Sequence, residues 1–412
     1  MTSPLPDTLD LTELDLADPA LYETELPEQV WAELRRRGVP HWNAEEKGPG
    51  FWVITKYDHA LAVYKGTHSF SSERGMMLGT DRAAAAAAAG AAAGKMLIVT
   101  DPPRHARLRQ IVNAAFAPRS VERLVDIIRA TAIELLEDVV DAGPCDFVRD
   151  VAARLPVAVI CQILHVPRAD WDLMVDLTST AFGGVDVSDP ASVAAQAQAH
   201  ADIFYYYTSL VAERRRNPGD DVVSALASGV IDGVPITDEE AVLNCHGFIT
   251  GGNETTRHAS SYGLRALVDN PWEWERLRGD ASLVPTLVEE ILRWSSPGMH
   301  ILRTATRDVE IGGAQIEAGE AVTIWNPSAN RDEDAFVEPE RFLIDRNPNR
   351  HLTFGIGEHF CLGGPLARVE LRVLFEEIRS RVATIELLGE PRRLRSNFLR
   401  GFVSMPAALS SR

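Results

Sequence analysis

Apolar residues recur at three- and four-residue spacing from Ser120 onward, most plainly in VERLVDIIRATAIELLEDVV (121–140) and VELRVLFEEIRSRV (369–382), and this spacing predicts amphipathic helices. Helices dominate the pattern. Two stretches depart from it: FWVITKY (51–57) and VEIGGAQIEAGEAVTIW (309–325) carry the composition and turn residues of short strands and hairpins. The expected fold is mainly α with small β-sheet regions. No repeat is visible, and no Pro/Gly/Ser-rich linker separates two complete helical sets, so 1–412 reads as a single domain. The low-complexity run RAAAAAAAGAAAGK (82–95) has alanines that favour helix but no side chain able to anchor one to a core, which predicts a mobile loop or a frayed helix.

Composition narrows the classes. With 412 residues and 45% hydrophobic content the chain can bury a large core. A formal net charge of −18 opposes phosphate backbones and argues against nucleic acid as a partner. The acidic, proline-containing start MTSPLPDTLDLTELDL has neither a basic n-region nor an apolar span, so neither export nor a membrane is expected and the protein reads as cytoplasmic. Cys145, Cys161, Cys245 and Cys361 are scattered without metal-ligand spacing, which suggests neither a disulfide framework nor a zinc site.

Candidate chemistry centres on HLTFGIGEHFCLGG (351–364). Cys161 within LPVAVICQIL reads as a small buried hydrophobe, and Cys145 reads the same way. Cys361 differs. Gly355 and Gly357 precede it, Gly363 and Gly364 follow, and a helical pattern opens near Pro365, so the sulfur sits where a helix dipole and free backbone N–H groups favour a thiolate. The glycines let backbone and a flat ligand approach closely. A lone thiolate with no second cysteine and no nearby base suits an axial ligand to a metal held by something else, and haem iron fits.

The run Phe354, Gly357, His359, Cys361 and Gly363, followed by Leu366, Ala367 and Arg368, resembles the haem-binding loop of the cytochrome P450 family. The resemblance extends from FWVITKY to SNFLRGF and implies the cytochrome P450 fold, haem b as cofactor and Cys361 as the iron's thiolate ligand, with Phe354, Gly355 and Gly363 in the haem loop. It implies that Glu290 and Arg293, three apart in LVEEILRW, form a buried structural triad with Arg341 of PERF. In NCHGFITGGNETTRHA, the helix-weakening Gly251 and Gly252 resemble the opening of the family's distal helix, with Glu254 and Thr255 as the acid and alcohol that deliver protons to dioxygen. His105, Arg109, Arg303 and His351 match positions used for the haem propionates.

Positions matching the family's substrate pocket are the alanine-rich segment, part of 178–201, His246, Gly247, Thr250, Met299, Phe398 and Leu399. Their mixture suggests a medium-sized, mostly apolar small molecule. The implied activity is a monooxygenase of the soluble bacterial branch, expected to be monomeric and to act in specialised (secondary) metabolism such as antibiotic biosynthesis. Electrons would come from an external ferredoxin-type protein, docking on a face that includes Arg104, Arg107, Arg368 and Arg372. Oxidative coupling, cyclisation or desaturation is the nearest alternative activity, and a haem-binding sensor without oxygen chemistry is a more distant one.

Overall fold

A computed structural model describes residues 11, 14–45, 48–79, 82–182 and 189–411. The elements that build the site are helices α1 (Arg82–Ala92), α2 (Arg104–Phe116), α3 (Val125–Glu137), α4 (Arg154–Ile163), α5 (Trp171–Phe182), α6 (Pro190–Arg216), α7 (Asp238–Asp269), α8 (Val284–Ser295) and α9 (Gly364–Arg381). Helices make up most of the chain, as the spacing predicts.

The long helix α7 is the spine of the main core. Its start is fixed by a capping box in which the Thr237 hydroxyl accepts from the Glu240 N–H and the Glu240 carboxylate accepts from the Thr237 N–H. Twenty of its residues are buried, so it is surrounded by partners rather than lying on a surface. Two of its glycines explain how closely those partners approach. A Cβ on Gly263 would lie 2.7 Å from both Ile291 of α8 and Phe375 of α9, and one on Gly252 would lie 3.3 Å from Ile160 of α4. Close helix packing offsets the cost of helical glycine.

The sheets are minor and sit at the edge of the helical body. His41–Asn43 (β1), Phe51–Ile54 (β2), Phe70–Ser71 (β3), His300–Ala305 (β5) and Ala321–Trp325 (β6) form a five-stranded sheet in the order β1-β2-β6-β5-β3. Strand β6 runs parallel to β2 and antiparallel to β5, with Val322 opposite Arg303. Val382–Leu387 (β7) and Pro406–Ser411 (β8) join Pro144–Asp146 (β4) in a second sheet. The first sheet carries a second apolar cluster around Trp31, Trp325 and Met299.

The alanine-rich segment is helical over Arg82–Ala92, where the sequence left loop and helix open. Its exit is anchored by α7. The Asn244 amide donates to the Lys95 carbonyl at 2.9 Å and its oxygen accepts from the Leu97 N–H at 2.9 Å, while Lys95 pairs with Glu239 at 2.9 Å. Among the described residues no helix is long and apolar enough to cross a membrane.

Candidate active site

The loop before α9 folds tightly against Tyr64. Gly355 and Gly357 have φ of 64° and 85°, the left-handed region, and a Cβ on either would press within 3.3 Å of the Tyr64 ring or 3.2 Å of its carbonyl. These turns return the chain so that the Cys361 N–H donates to the Phe354 carbonyl at 2.9 Å. Phe354 lies beneath, with the Arg368 guanidinium 4.7 Å from its ring centroid. Gly364 keeps the start of α9 against that ring, since a Cβ there would sit 3.5 Å from it.

Cys361 has an accessible surface although protein atoms surround it densely, a combination that belongs to the floor of a recess. Burial pushes its thiol pKa up, while the Gly363 N–H, the Arg109 guanidinium, the Gly364 N–H and Arg368 favour the thiolate. Cys161, by contrast, is inert core, its thiol raised by burial to about 12.

Beside the recess four basic side chains converge from three elements: His105 and Arg109 on α2, Arg303 on β5 and His359 in the loop. The His105 and His359 rings lie 4.1 Å apart, and Ser72 Oγ is 3.3 Å from His359 Nε2. Arg109 donates to the Phe360 carbonyl at 2.7 Å, and buried Arg303 donates to its neighbour's carbonyl, Leu302 O, at 2.8 Å. None of the four has an ion pair among the described residues. Burial, Arg303, His105 and Arg109 together press the His359 pKa down to about 3. Such a cluster is costly unless an anion faces it, and the two carboxylates of haem b are such anions. The residues present therefore fit that cofactor.

His351 is corrected by the structure. It lies in a different network, with Nε2 3.2 Å from Glu289, whose carboxylate also takes Arg368 at 2.7 and 2.9 Å. None of His105, Arg109 or Arg303 contributes to its pKa shift. The histidine that joins the basic cluster is His359, two residues before the cysteine, which the sequence reading placed in the loop without a role.

On α7 the two central glycines have separate tasks. Gly252 admits Ile160, whereas a Cβ on Gly251 would meet nothing within 4 Å. Gly247, Gly251 and Thr255, four residues apart, form a partly accessible stripe on a mostly buried helix. The Thr255 hydroxyl donates to the Gly251 carbonyl at 2.8 Å. Glu254 is buried on the neighbouring face, accepting from Arg257 at 3.2 and 3.3 Å and from Asn253 at 3.3 Å, with His258 Nε2 3.5 Å away. Burial raises the Glu254 pKa against the pull of Arg257.

Glu290 is the hub of the buried scaffold, with a different third partner from the one expected. Arg293 donates to it twice at 2.8 Å, and Arg346 donates at 3.2 and 3.0 Å. Arg341 is exposed and pairs with Glu338 at 2.5 Å, lending only its carbonyl to Arg293 and Arg346. The physical reason is local. Phe342 points inward at that step of the loop, so its neighbour points out.

The expected pocket residues divide. Thr250 is buried, its hydroxyl donating to the His246 carbonyl at 2.8 Å, and Met96 reaches over Gly247. Met299 and Leu399 are buried: Met299 packs with Trp31 and Trp325, and both border a small cavity with Tyr22 and Tyr262. Phe398 stays half-buried, its ring centroid 5.6 Å from that of His300. The arginines expected on a docking face are all neutralised: Arg104 by Glu240, Arg107 by Asp232, Arg368 by Glu289 and Arg372 by Glu122.

Comparison with known proteins places this arrangement. The family model described as Cytochrome P450 matches residues 189–381. The curated relative Cytochrome P450 NovI of Streptomyces niveus is 36% identical over 411 residues, covering 99% of both chains. A methyl-branched lipid omega-hydroxylase of Mycobacterium tuberculosis is 36% identical over 94% of this chain and 92% of its own. Among solved structures, P450 OxyD, described as involved in the biosynthesis of vancomycin-type antibiotics, superposes with a TM-score of 0.88 at 38% identity, covering 97% of this chain and all of that one.

Proposed function

Because the chain belongs to the cytochrome P450 family, and is a haem-b monooxygenase that uses dioxygen, we propose that it oxidises a medium-sized, mostly apolar small molecule in specialised bacterial metabolism. The observation that carries the site assignment is the recess floored by Cys361 and flanked by four basic groups that form no ion pair among the described residues. Haem, when bound, supplies the iron at which dioxygen is activated. Cys361 would supply the sulfur ligand to that iron, and His105, Arg109, Arg303 and His359 would hold the cofactor's carboxylates.

On the other wall, Thr255 spends its own proton on Gly251, which leaves its oxygen free to accept a hydrogen bond. Glu254, with a carboxyl raised by burial, keeps a proton at higher pH than a solvated carboxylate and can pass it on through water. The antibiotic biosynthesis named for OxyD supports specialised metabolism. Reduction by an external ferredoxin would use the exposed Arg119 and Arg123, which carry no ion pair among the described residues and adjoin α9 through the short helix Pro118–Glu122. The protein would work in the cytoplasm as a monomer.

The test is the absorption spectrum of the reduced, haem-loaded protein with carbon monoxide. Wild type is expected to show the red-shifted band that gives the family its name, and Cys361→Ser to lose it. A variant that kept the band would remove Cys361 as ligand.

A further inference from the structure

Asn253, one residue before Glu254 on α7, is fully buried, and its amide nitrogen donates in two directions: to Thr178 Oγ1 of α5 at 2.6 Å and to Glu254 Oε1 at 3.3 Å. Thr178 is fully buried too, and its hydroxyl donates to the Met174 carbonyl at 2.7 Å, one turn back on α5. A hydroxyl has one proton, so Thr178 accepts from Asn253 and does not donate to it. That fixes the amide. Turned over, it would set its oxygen against Thr178, whose proton is already on Met174. Asparagine is a poor helix former and costly to bury, so its place in mid-helix needs these two bonds.

The other groups around the carboxylate act differently. Arg257 donates to its two oxygens at 3.2 and 3.3 Å and reaches Ser179 Oγ of α5 at 3.4 Å, while His258 Nε2 lies 3.5 Å from Oε2. The Arg257 charge favours the ionised form and grips the anion more strongly than the acid. A group that must lose a proton and regain it is therefore held unevenly by Arg257. Asn253 is neutral, and its bond to Oε1 can stand in both forms. In a protonated carboxyl the oxygen that accepts is the carbonyl oxygen. With Asn253 and the shorter Arg257 contact both on Oε1, the proton falls to Oε2.

We infer that Asn253 is a positioning residue for proton delivery: anchored on Thr178 of α5, it holds Glu254 through Oε1 and leaves the transferable proton on Oε2. Oε2 gives that proton to water and takes one back from water, while the bond from Asn253 to Oε1 stays made throughout. The inference deepens the role proposed above for Glu254 and rests on it.

The test is the infrared absorption of the Glu254 carboxyl in haem-loaded protein. Each variant is compared with the same variant carrying Glu254→Gln, and the difference isolates the carbonyl stretch of the protonated side chain, recorded from pH 7 down to the acid limit of the folded protein. A hydrogen bond to the carbonyl oxygen lowers that stretch. Asn253→Leu, which keeps the volume and deletes the donor, is expected to move the band to higher wavenumber. Thr178→Val leaves Asn253 in place without its anchor and should move the band the same way, and Thr178→Ser, which keeps the hydroxyl, should return it towards the wild-type position. If Asn253→Leu does not fold, the two Thr178 variants decide. A band that stays put in Asn253→Leu, a band absent at every pH at which wild type is folded, or a Thr178→Ser band displaced as far as that of Thr178→Val overturns the inference. Full dioxygen turnover in Glu254→Gln, with the band still shifting in Asn253→Leu, would instead overturn Glu254 as the acid, so the two failures remain distinct.

Discussion

Arg346 Nε lies 3.0 Å from Glu290 Oε2 in the buried scaffold, and the pair holds the loop that leads to the cysteine. Glu290 also accepts from Arg293, from the Leu343 N–H at 2.9 Å and from the Asn349 amide at 3.0 Å, so every direction around the carboxylate is taken. Removing Arg346 leaves Glu290 paired with Arg293 but deletes the charge-assisted hydrogen bonds that Arg346 makes to Glu290 and to the Val337, Glu338 and Arg341 carbonyls, each worth about 1.5–3 kcal/mol. Arg346→Ala is therefore expected to unfold at much lower urea concentration than wild type. Arg341→Ala, which deletes an exposed pair with Glu338, should change stability by under ~1 kcal/mol. Urea midpoints for both variants check this, and equal losses would restore Arg341 to the triad.

What the sequence could convey follows the range of the interactions. The glycine turns, the cysteine and the start of α9 are determined within a dozen residues, so the floor of the recess was legible. The choice between Arg341 and Arg346 depends on which loop residue faces in, and that is fixed by Glu290, fifty-six positions before Arg346. The roles of His351 and His359 part in the same way, since Glu289 on α8 captures the first and α2 with β5 surrounds the second. A signal for His359 was present in its place two residues before Cys361. The two central glycines of α7 looked alike in sequence, and only the packing of Ile160 separates them. No local pattern could bring Thr178 to Asn253.

The basic cluster predicts cofactor retention. Arg303→Leu or His359→Leu removes one charge-assisted hydrogen bond to a propionate, worth about 1.5–3 kcal/mol, so haem should leave the protein tenfold faster or more. The measurement is transfer of haem to excess apomyoglobin. His351→Leu should leave that rate much nearer wild type, because His351 serves Glu289 instead. Loss rates that rank His351 above His359 would reverse the two assignments.

The split between Glu254 and Thr255 predicts different defects. Glu254→Gln keeps the shape and the Asn253 contact but cannot carry the proton, so turnover of any substrate that shifts the haem spin state should fall about 10²-fold. Thr255→Ala leaves the proton supply and removes the hydroxyl at the accessible face, so oxygen should still be consumed while product per oxygen drops. An oxygen electrode with product analysis separates the two. Identical coupling in Thr255→Ala and wild type would remove the alcohol from the proton path.

Glu370 on α9 gives a stability prediction independent of catalysis. Its side chain is buried, one carboxyl oxygen has no hydrogen-bond partner, and it has no ion pair among the described residues. Burial alone drives its pKa well above the usual value. Above about pH 4.3, where an unfolded glutamate ionises, the unfolded chain releases this proton and the folded protein keeps it. The folded state then binds more protons, so this group's contribution falls as pH rises, by up to ~1.4 kcal/mol per pH unit, until the folded carboxyl itself ionises. Glu370→Gln retains the neutral shape without that loss. Its urea midpoint should match wild type near pH 4.5 and exceed it at pH 8, and midpoints that run parallel across the range would mean that Glu370 is ionised in the fold.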